Sequence, residues 1–318
     1  MSLLKITGFS KSNILRIMYF GGFYYGFAFS IKNNLHSPAF RVIDRYTKFE
    51  RSVWGMIYIN GDCHGDFRRF TKKERLKLPF VFTEEDYVIV CGDFTLLWDK
   101  KDREFEYNCE WLSRLPFTLL WADGNHCGFD ILNTYPVEMW HGGKVHHIVK
   151  DKIIHLMRGQ IFDIEDKTFF VMGGGKSHDV QGGILDMSDP AFAMLRMQAI
   201  RRRLPFRVVG RSYWYEELPS QEELDEGLRN LEKVGNKVDF IISHCTSNRV
   251  QEKIAQYDEE QGFTGRKYES DILTDYFDML EDKIQYHHWF CGHYHKNLEI
   301  DDKHSILYEK IVPLKEYL

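Results

Sequence analysis

The six cysteines of this 318-residue sequence include no C-x-x-C pair, which argues against a structural zinc site of that type. Basic charge is also short: 42 Lys and Arg against 47 Asp and Glu leave a net charge of −5, so no global field draws the chain to nucleic acid. No repeat recurs at a fixed period, and no low-complexity linker divides the chain. "GGGKSHD" (173–179) falls short of a nucleotide-binding P-loop, because Phe170 stands where that loop requires glycine. The uncharged run at 17–31 ("IMYFGGFYYGFAFSI") is fifteen residues long, below the about 20 that a membrane-crossing helix needs.

What is present fits a folded protein with a sizeable core, 43% hydrophobic and 28% charged. Residues 1–55 read as an aromatic-rich N-terminal extension and 56–318 as the catalytic domain. The extension is expected to pack its aromatics on the domain. Export or membrane association through residues 13–31 is the alternative, since Lys5, Lys11 and Arg16 precede the run and Ala28 and Ser30 have cleavage-like spacing. Five cysteines (Cys63, Cys91, Cys127, Cys245 and Cys291) adjoin polar motifs at strand ends. They suit small buried thiols in a reducing, cytoplasmic setting better than a disulfide framework.

From Met56 the pattern is strand, polar loop, helix. "MIYIN" (56–60), "YVIVC" (87–91) and "FTLLWA" (117–122) are short apolar runs ending at glycine, with helical spacing at 67–78 and 103–115 between them. Such alternation implies right-handed βαβ units with parallel strands, whose ligands bind beyond the strands' carboxyl ends. "GQIFDI" and "KTFFVM" flank Glu165-Asp166 as a hairpin, residues 190–203 read as a helix, and Ser220-x-x-Glu223 is a capping box opening another. "VDFIIS" (238–243) and "HHWFC" (287–291) repeat the strand-then-polar theme. "LEI" and "SILYEKIV" bracket Asp301-Asp302 as a closing hairpin.

Five strands thus end in residues of one chemical kind: Asp62 and His64; Asp93; Asn125 and His126; His244; His293 and His295. Alone, an aspartate after a strand is ordinarily a turn or cap, and a histidine there is ordinarily a satisfied hydrogen-bonding residue. Five such endings on one sheet edge exceed those explanations. Carboxylate, imidazole and amide ligands without thiolate suit Mn, Fe, Zn or Mg. Setting His126 aside, seven groups are too many for one tetrahedral ion and right for two ions sharing a carboxylate. Two ions about 3.5–4 Å apart clamp the attacking and leaving oxygens of an in-line displacement, so the site reads as built for metal-assisted hydrolysis of phosphorus esters.

Asp62-x-His64, Gly92-Asp93, Gly124-Asn125-His126, Ser243-His244 and Gly292-His293-x-His295, in that order, resemble the signature of the calcineurin-like metallophosphoesterase superfamily. The resemblance implies a four-layer α/β/β/α sandwich with mixed sheets. It implies one metal on Asp62, His64 and His295, a second on Asn125, His244 and His293, and Asp93 bridging them, with manganese favoured. A hydroxide between the metals would attack phosphorus, and His126 would steady the phosphoryl oxygens and protonate the leaving alkoxide. Two departures stand out. Cys127 follows the Gly-Asn-His motif where the family often has a carboxylate, leaving Asp130 or Asp99 to orient His126. "GDFTLLWDK" (92–100) lacks the arginine with which protein phosphatases of the superfamily grip phosphate.

Lys176 and His178 are expected as phosphate contacts from the glycine turn. The six arginines of "RMQAIRRRLPFRVVGR" (196–211) read as a solvated helix face, or else as a basic rim for a polyanion. The expected partner is a small phosphorylated substrate, with nucleic acid not indicated. A phosphodiesterase or nuclease on the same site, or a non-catalytic scaffold, is the competing reading.

Overall fold

Period-two side-chain alternation, with both faces apolar, decides how these strands layer. The computed structural model describes residues 55–97, 103–263 and 268–318, and residues 54–318 form one compact unit. The expectations for the N-terminal stretch, residues 13–31 included, and for Asp99 lie outside the described residues. Among these residues no helix is long and apolar enough to cross a membrane.

In chain order the strands are β1 (Ile57–Asn60), β2 (Tyr87–Val90), β3 (Thr118–Trp121), β4 (Glu138–Trp140), β5 (Gly143–Val149), β6 (Ile153–Leu156), β7 (Gln160–Ile164) and β8 (Lys167–Met172). They continue as β9 (Ile184–Leu185), β10 (Arg207–Val208), β11 (Phe240–Ser243), β12 (His288–Cys291), β13 (Leu298–Asp301), β14 (His304–Ile306) and β15 (Ile311–Pro313). One sheet runs β15-β1-β2-β3-β6-β5-β4 and another β13-β14-β12-β11-β8-β7. Each is parallel at its centre (β1, β2, β3 and β6; β14, β12, β11 and β8) and antiparallel at its edges.

Ile59, Ile89, Leu120 and Ile154 of the first sheet share one buried cluster with Phe169, Val171, Phe240, Ile242 and Phe290 of the second. Their neighbours face outwards. Val88, Val90, Leu119 and Trp121 pack on Leu112 of the Arg103–Ser113 helix and on Phe70 and Phe117. Phe170, Met172, Ile241 and Trp289 pack on three helices through Leu224 and Leu231 (Gln221–Lys233), Val250 and Ile254 (Asn248–Glu260), and Phe277 and Leu280 (Ile272–Lys283). This is the expected α/β/β/α sandwich. Each fully buried aliphatic or aromatic side chain contributes roughly 1.5–3 kcal/mol, so apolar burial supplies the rigidity that fixes the polar strand ends.

Two local expectations need correction. The helix expected over 67–78 is only a 3₁₀ turn (Arg68–Phe70) and one α turn (Lys72–Arg75). Between them Thr71 is extended, with ψ 152°, and its hydroxyl donates to the Arg68 carbonyl. The closing hairpin exists as β13 and β14, but β15 leaves it and pairs antiparallel with β1 in the other sheet. Residues 307–310 make the crossing. Asn297 Oδ1 accepts from the Tyr308 and Lys310 amides, while Asn60 Nδ2 donates to the Lys310 carbonyl. A polar segment with side-chain partners for its backbone thus replaces a continuous strand.

The capping box at Ser220 forms as read. Ser220 Oγ accepts from the Glu223 amide, and Glu223 accepts from the Ser220 amide. Ser220→Ala should therefore cost about 1 kcal/mol in a urea titration, with the slope unchanged. A loss near zero would contradict the reciprocal cap.

Candidate metal centre

Every sequence-predicted ligand follows the carboxyl end of a central parallel strand: Asp62 and His64 after β1, Asp93 after β2, Asn125 after β3, His244 after β11, His293 and His295 after β12. The two sheets bring these ends together. His64 Nε2 and His295 Nε2 face each other at 2.9 Å, and the Asp62 Oδ2 atom lies 3.7 and 3.4 Å from them. Beside this trio, His244 Nε2 is 3.3 Å from Asp93 Oδ2, 3.1 Å from Asn125 Oδ1 and 3.2 Å from His293 Nδ1. Asp93 Oδ2 also reaches to 3.8 Å from His64 Nδ1, which puts this carboxylate between the two groups.

The backbone is bent to achieve this. His64, Asp93, His293 and His295 have φ of 49°, 43°, 66° and 52°. Left-handed conformations cost non-glycine residues of the order of 1–3 kcal/mol each and concentrate where function requires them. The carboxylates are anchored by main-chain donors. The His293 amide donates to both Asp62 oxygens at 2.9 and 3.0 Å, and the His126 amide donates to Asp93 Oδ1 at 2.7 Å. The motif glycines clear space: a Cβ on Gly292 would lie 1.9 Å from Asp62 Oδ1, and one on Gly92 would lie 2.1 Å from the His244 ring.

Asp62 and Asp93 are buried, which is costly for two carboxylates unless positive charge accompanies them. Burial pushes the Asp93 carboxyl up, but the charge and hydrogen bond of His244, then His126 and His64, overcome this and hold it well below the carboxylate range. Burial drives His244 down, and Asp93 with Asp62 reverses that. A proton on His244 thus sits beside both carboxylates, the charge a metal ion would supply instead. His293 and His295 are lowered by burial, so their ring nitrogens keep lone pairs to offer. The donor set fits hard or borderline divalent ions. Asp62, His64 and His295 form one candidate metal group; His64, Asp93 and His126 form another. The cysteines stand apart from this chemistry. All are free thiols, and burial pushes Cys63 up to about 12.

A scan against family profiles matches calcineurin-like phosphoesterases over residues 56–297. The chain belongs to the calcineurin-like phosphoesterase family. No curated protein matches the sequence significantly. Among solved structures, phosphopantetheinyl hydrolase from Mycobacterium tuberculosis is similar at 15% identity and a TM-score of 0.36, covering 81% of this chain and 92% of its own. A protein of unknown function from Aquifex aeolicus (AQ665) is similar at 18% identity and a TM-score of 0.22, covering 47% of this chain and 75% of its own.

In this family member five of the candidate ligands, His64, Asp93, Asn125, His293 and His295, line a cavity of about 380 Å³ together with His126, His178 and three residues absent from the sequence-based site: Asp179, Arg207 and Tyr308. His178 meets His293 edge-on at 5.5 Å. Lys176 does not line the cavity; its ammonium pairs with Glu269 at 2.9 Å. The expectation that Asp130 orients His126 is corrected as well, because Asp130 accepts from the Trp214 indole at 2.9 Å. The His126 ring instead receives the Arg207 guanidinium at 3.1 and 3.4 Å. Tyr308 stacks on His295 at 4.9 Å, delivered by the crossing segment before β15. Of the arginine run, Arg201, Arg202 and Arg203 are exposed as expected, but Arg207 turns inwards. Only the alternation of a short strand distinguishes Arg207, and two residues of strand are too few to read.

Beneath the Gly-Asn-His loop, Ser177 Oγ accepts from Asn125 Nδ2 at 3.2 Å, and the Ser177 amide donates to Glu217 Oε2 at 3.2 Å. Burial pushes the Glu217 carboxyl up to about 8, so it is largely protonated at neutral pH. The sign follows: stability is fullest below its ordinary value of 4.5 and declines as pH rises towards 8, where the buried carboxyl ionises. Glu217→Gln should therefore melt several degrees above the wild type at pH 9, with that margin shrinking towards pH 5. An unchanged margin across that range would contradict the raised carboxyl.

Proposed function

We propose that this protein is a dinuclear metal-dependent phosphoester hydrolase acting on a small phosphorylated substrate. The observation that carries the reading is the convergence of Asp62, His64, Asp93, Asn125, His244, His293 and His295 where the carboxyl ends of the central strands of two sheets meet, not on one sheet edge as the sequence suggested, with Asp93 between the two ligand groups. In this reading Asp62, His64 and His295 would hold one ion, and Asn125, His244 and His293 would hold the other. Asp93 is shared, and manganese is the favoured metal. Bound there, the pair would neutralise phosphoryl oxygens and lower the pKa of a water so that it attacks phosphorus near neutral pH.

The chain's own residues do the rest. Asp62 and Asp93 are fixed by the His293 and His126 amides, so the ligand set is preorganised before substrate enters. His126 stands at the cavity side of Asp93, 4.0 Å from Oδ2, where its ring faces incoming substrate. Burial, with Arg207 adding to it and Asp93 opposing, brings His126 down to about 4. Before substrate enters the ring is therefore neutral at neutral pH; only its imidazolium form can protonate the leaving alkoxide, and a dianionic phosphoryl group bound beside the ring would favour that form. A full ligand set disfavours the scaffold reading, since every candidate metal-binding residue is in place.

Two variants test the assignment. Asp93→Ala should lose metal and hydrolysis together, with metal content measured by plasma mass spectrometry. Retention of both would contradict the shared carboxylate. His126→Ala should keep its metal while turnover falls by about 10²- to 10⁴-fold, most for poor leaving groups. Joint collapse of metal content and rate would make His126 a ligand instead, as its place beside His64 and Asp93 permits.

A further inference from the structure

We propose that Arg207 recognises the third non-bridging oxygen of a terminal phosphoryl group and so selects phosphomonoesters over diesters. This rests on the two-metal reading above. Arg207 belongs to the insertion between β8 and β11, on β10, which pairs in parallel with β9 through Arg207 and Ile184. It is the permanently charged cation among the cavity-lining residues.

Its donors divide into two sets. Nε and Nη2 donate to the two oxygens of Asp179 at 2.9 and 2.7 Å, a bidentate grip that fixes the plane of the guanidinium. The Nη1 contacts are poor: the Ser212 carbonyl at 3.5 Å and His126 Nδ1 at 3.4 Å. Both lie at the limit of a useful hydrogen bond. Nη1, on a cavity-lining residue beside His126, would therefore gain from a closer acceptor. With its side chain only 12% exposed, the guanidinium is also shielded from competing water.

The substrate class follows from counting oxygens. A monoester offers three non-bridging oxygens and a diester two. Two metal ions can take two oxygens in either case, so only the monoester has an oxygen left for Arg207. Asp179, which lines the same cavity, holds the fork through two bonds whose paired geometry a lysine ammonium could not reproduce. Arg207 thus stands in for the missing arginine after Gly92-Asp93, from a different part of the chain.

The test compares a phosphomonoester with a diester bearing the same leaving group. Arg207→Ala should lower kcat/KM for the monoester roughly 10-fold or more beyond its loss for the diester, since the diester loses only the Arg207 contact with His126 while the monoester also loses one charge-assisted hydrogen bond. Arg207→Lys should fall between, and Asp179→Asn should resemble Lys by loosening the fork. Independently of turnover, calorimetry on metal-loaded protein should show inorganic phosphate weakened about 10-fold or more in Arg207→Ala, with dimethyl phosphate unchanged and metal content intact. Equal losses for both ester classes, or unchanged phosphate affinity, would overturn the proposal. Should Arg207→Ala fail to fold, Arg207→Lys decides by the same two ratios. Wild-type protein that binds metal and hydrolyses no ester would sink the hydrolase reading, and the phosphate titration would still decide Arg207.

Discussion

Two carboxylates buried at the meeting edge of two sheets set the terms for everything around them. Asp62 and Asp93 lie where water cannot reach them, and a carboxylate charge persists there only with compensation close by. Imidazoles from four separate strand ends provide the immediate surroundings, main-chain amides hold the carboxylate oxygens, and glycines make room for the approach. The apolar interior between the sheets supplies the rigidity. The polar edge uses it, holding four residues in left-handed backbone conformations that an isolated loop would not keep.

The division of labour between scaffold and insertion is equally physical. The candidate ligands follow central parallel strands, where register is fixed by burial on both faces. Other residues that line the cavity come from elsewhere. Arg207 and Asp179 belong to the segment between β8 and β11, and Tyr308 to the crossing before β15. Such segments can change without disturbing the strand ends, which is how one metal-binding frame accommodates different phosphorus esters.

The legibility of the sequence follows the same boundary. β1, β2, β3, β11 and β12 are short apolar runs closed by glycine or histidine, so both the strands and the polar residues at their tips could be read directly. The β7–β8 hairpin and the Ser220 cap were legible because each depends on neighbours in the chain. Tyr308, Arg207 and Glu217 were not. Their places depend on tertiary routing: a polar crossing held by Asn60 and Asn297, a two-residue strand, and burial against Ser177. The helix expected over 67–78 failed for a local reason, an extended threonine that helical periodicity does not reveal.

In the proposed site one chain holds two neighbouring ions joined by Asp93. Electron paramagnetic resonance of the manganese-loaded protein, titrated to saturation, tests this most directly. The account predicts two equivalents per chain and the signature of a spin-coupled pair, because a shared carboxylate brings the ions within about 4 Å. Saturation at one equivalent, or two uncoupled mononuclear signals, would contradict it.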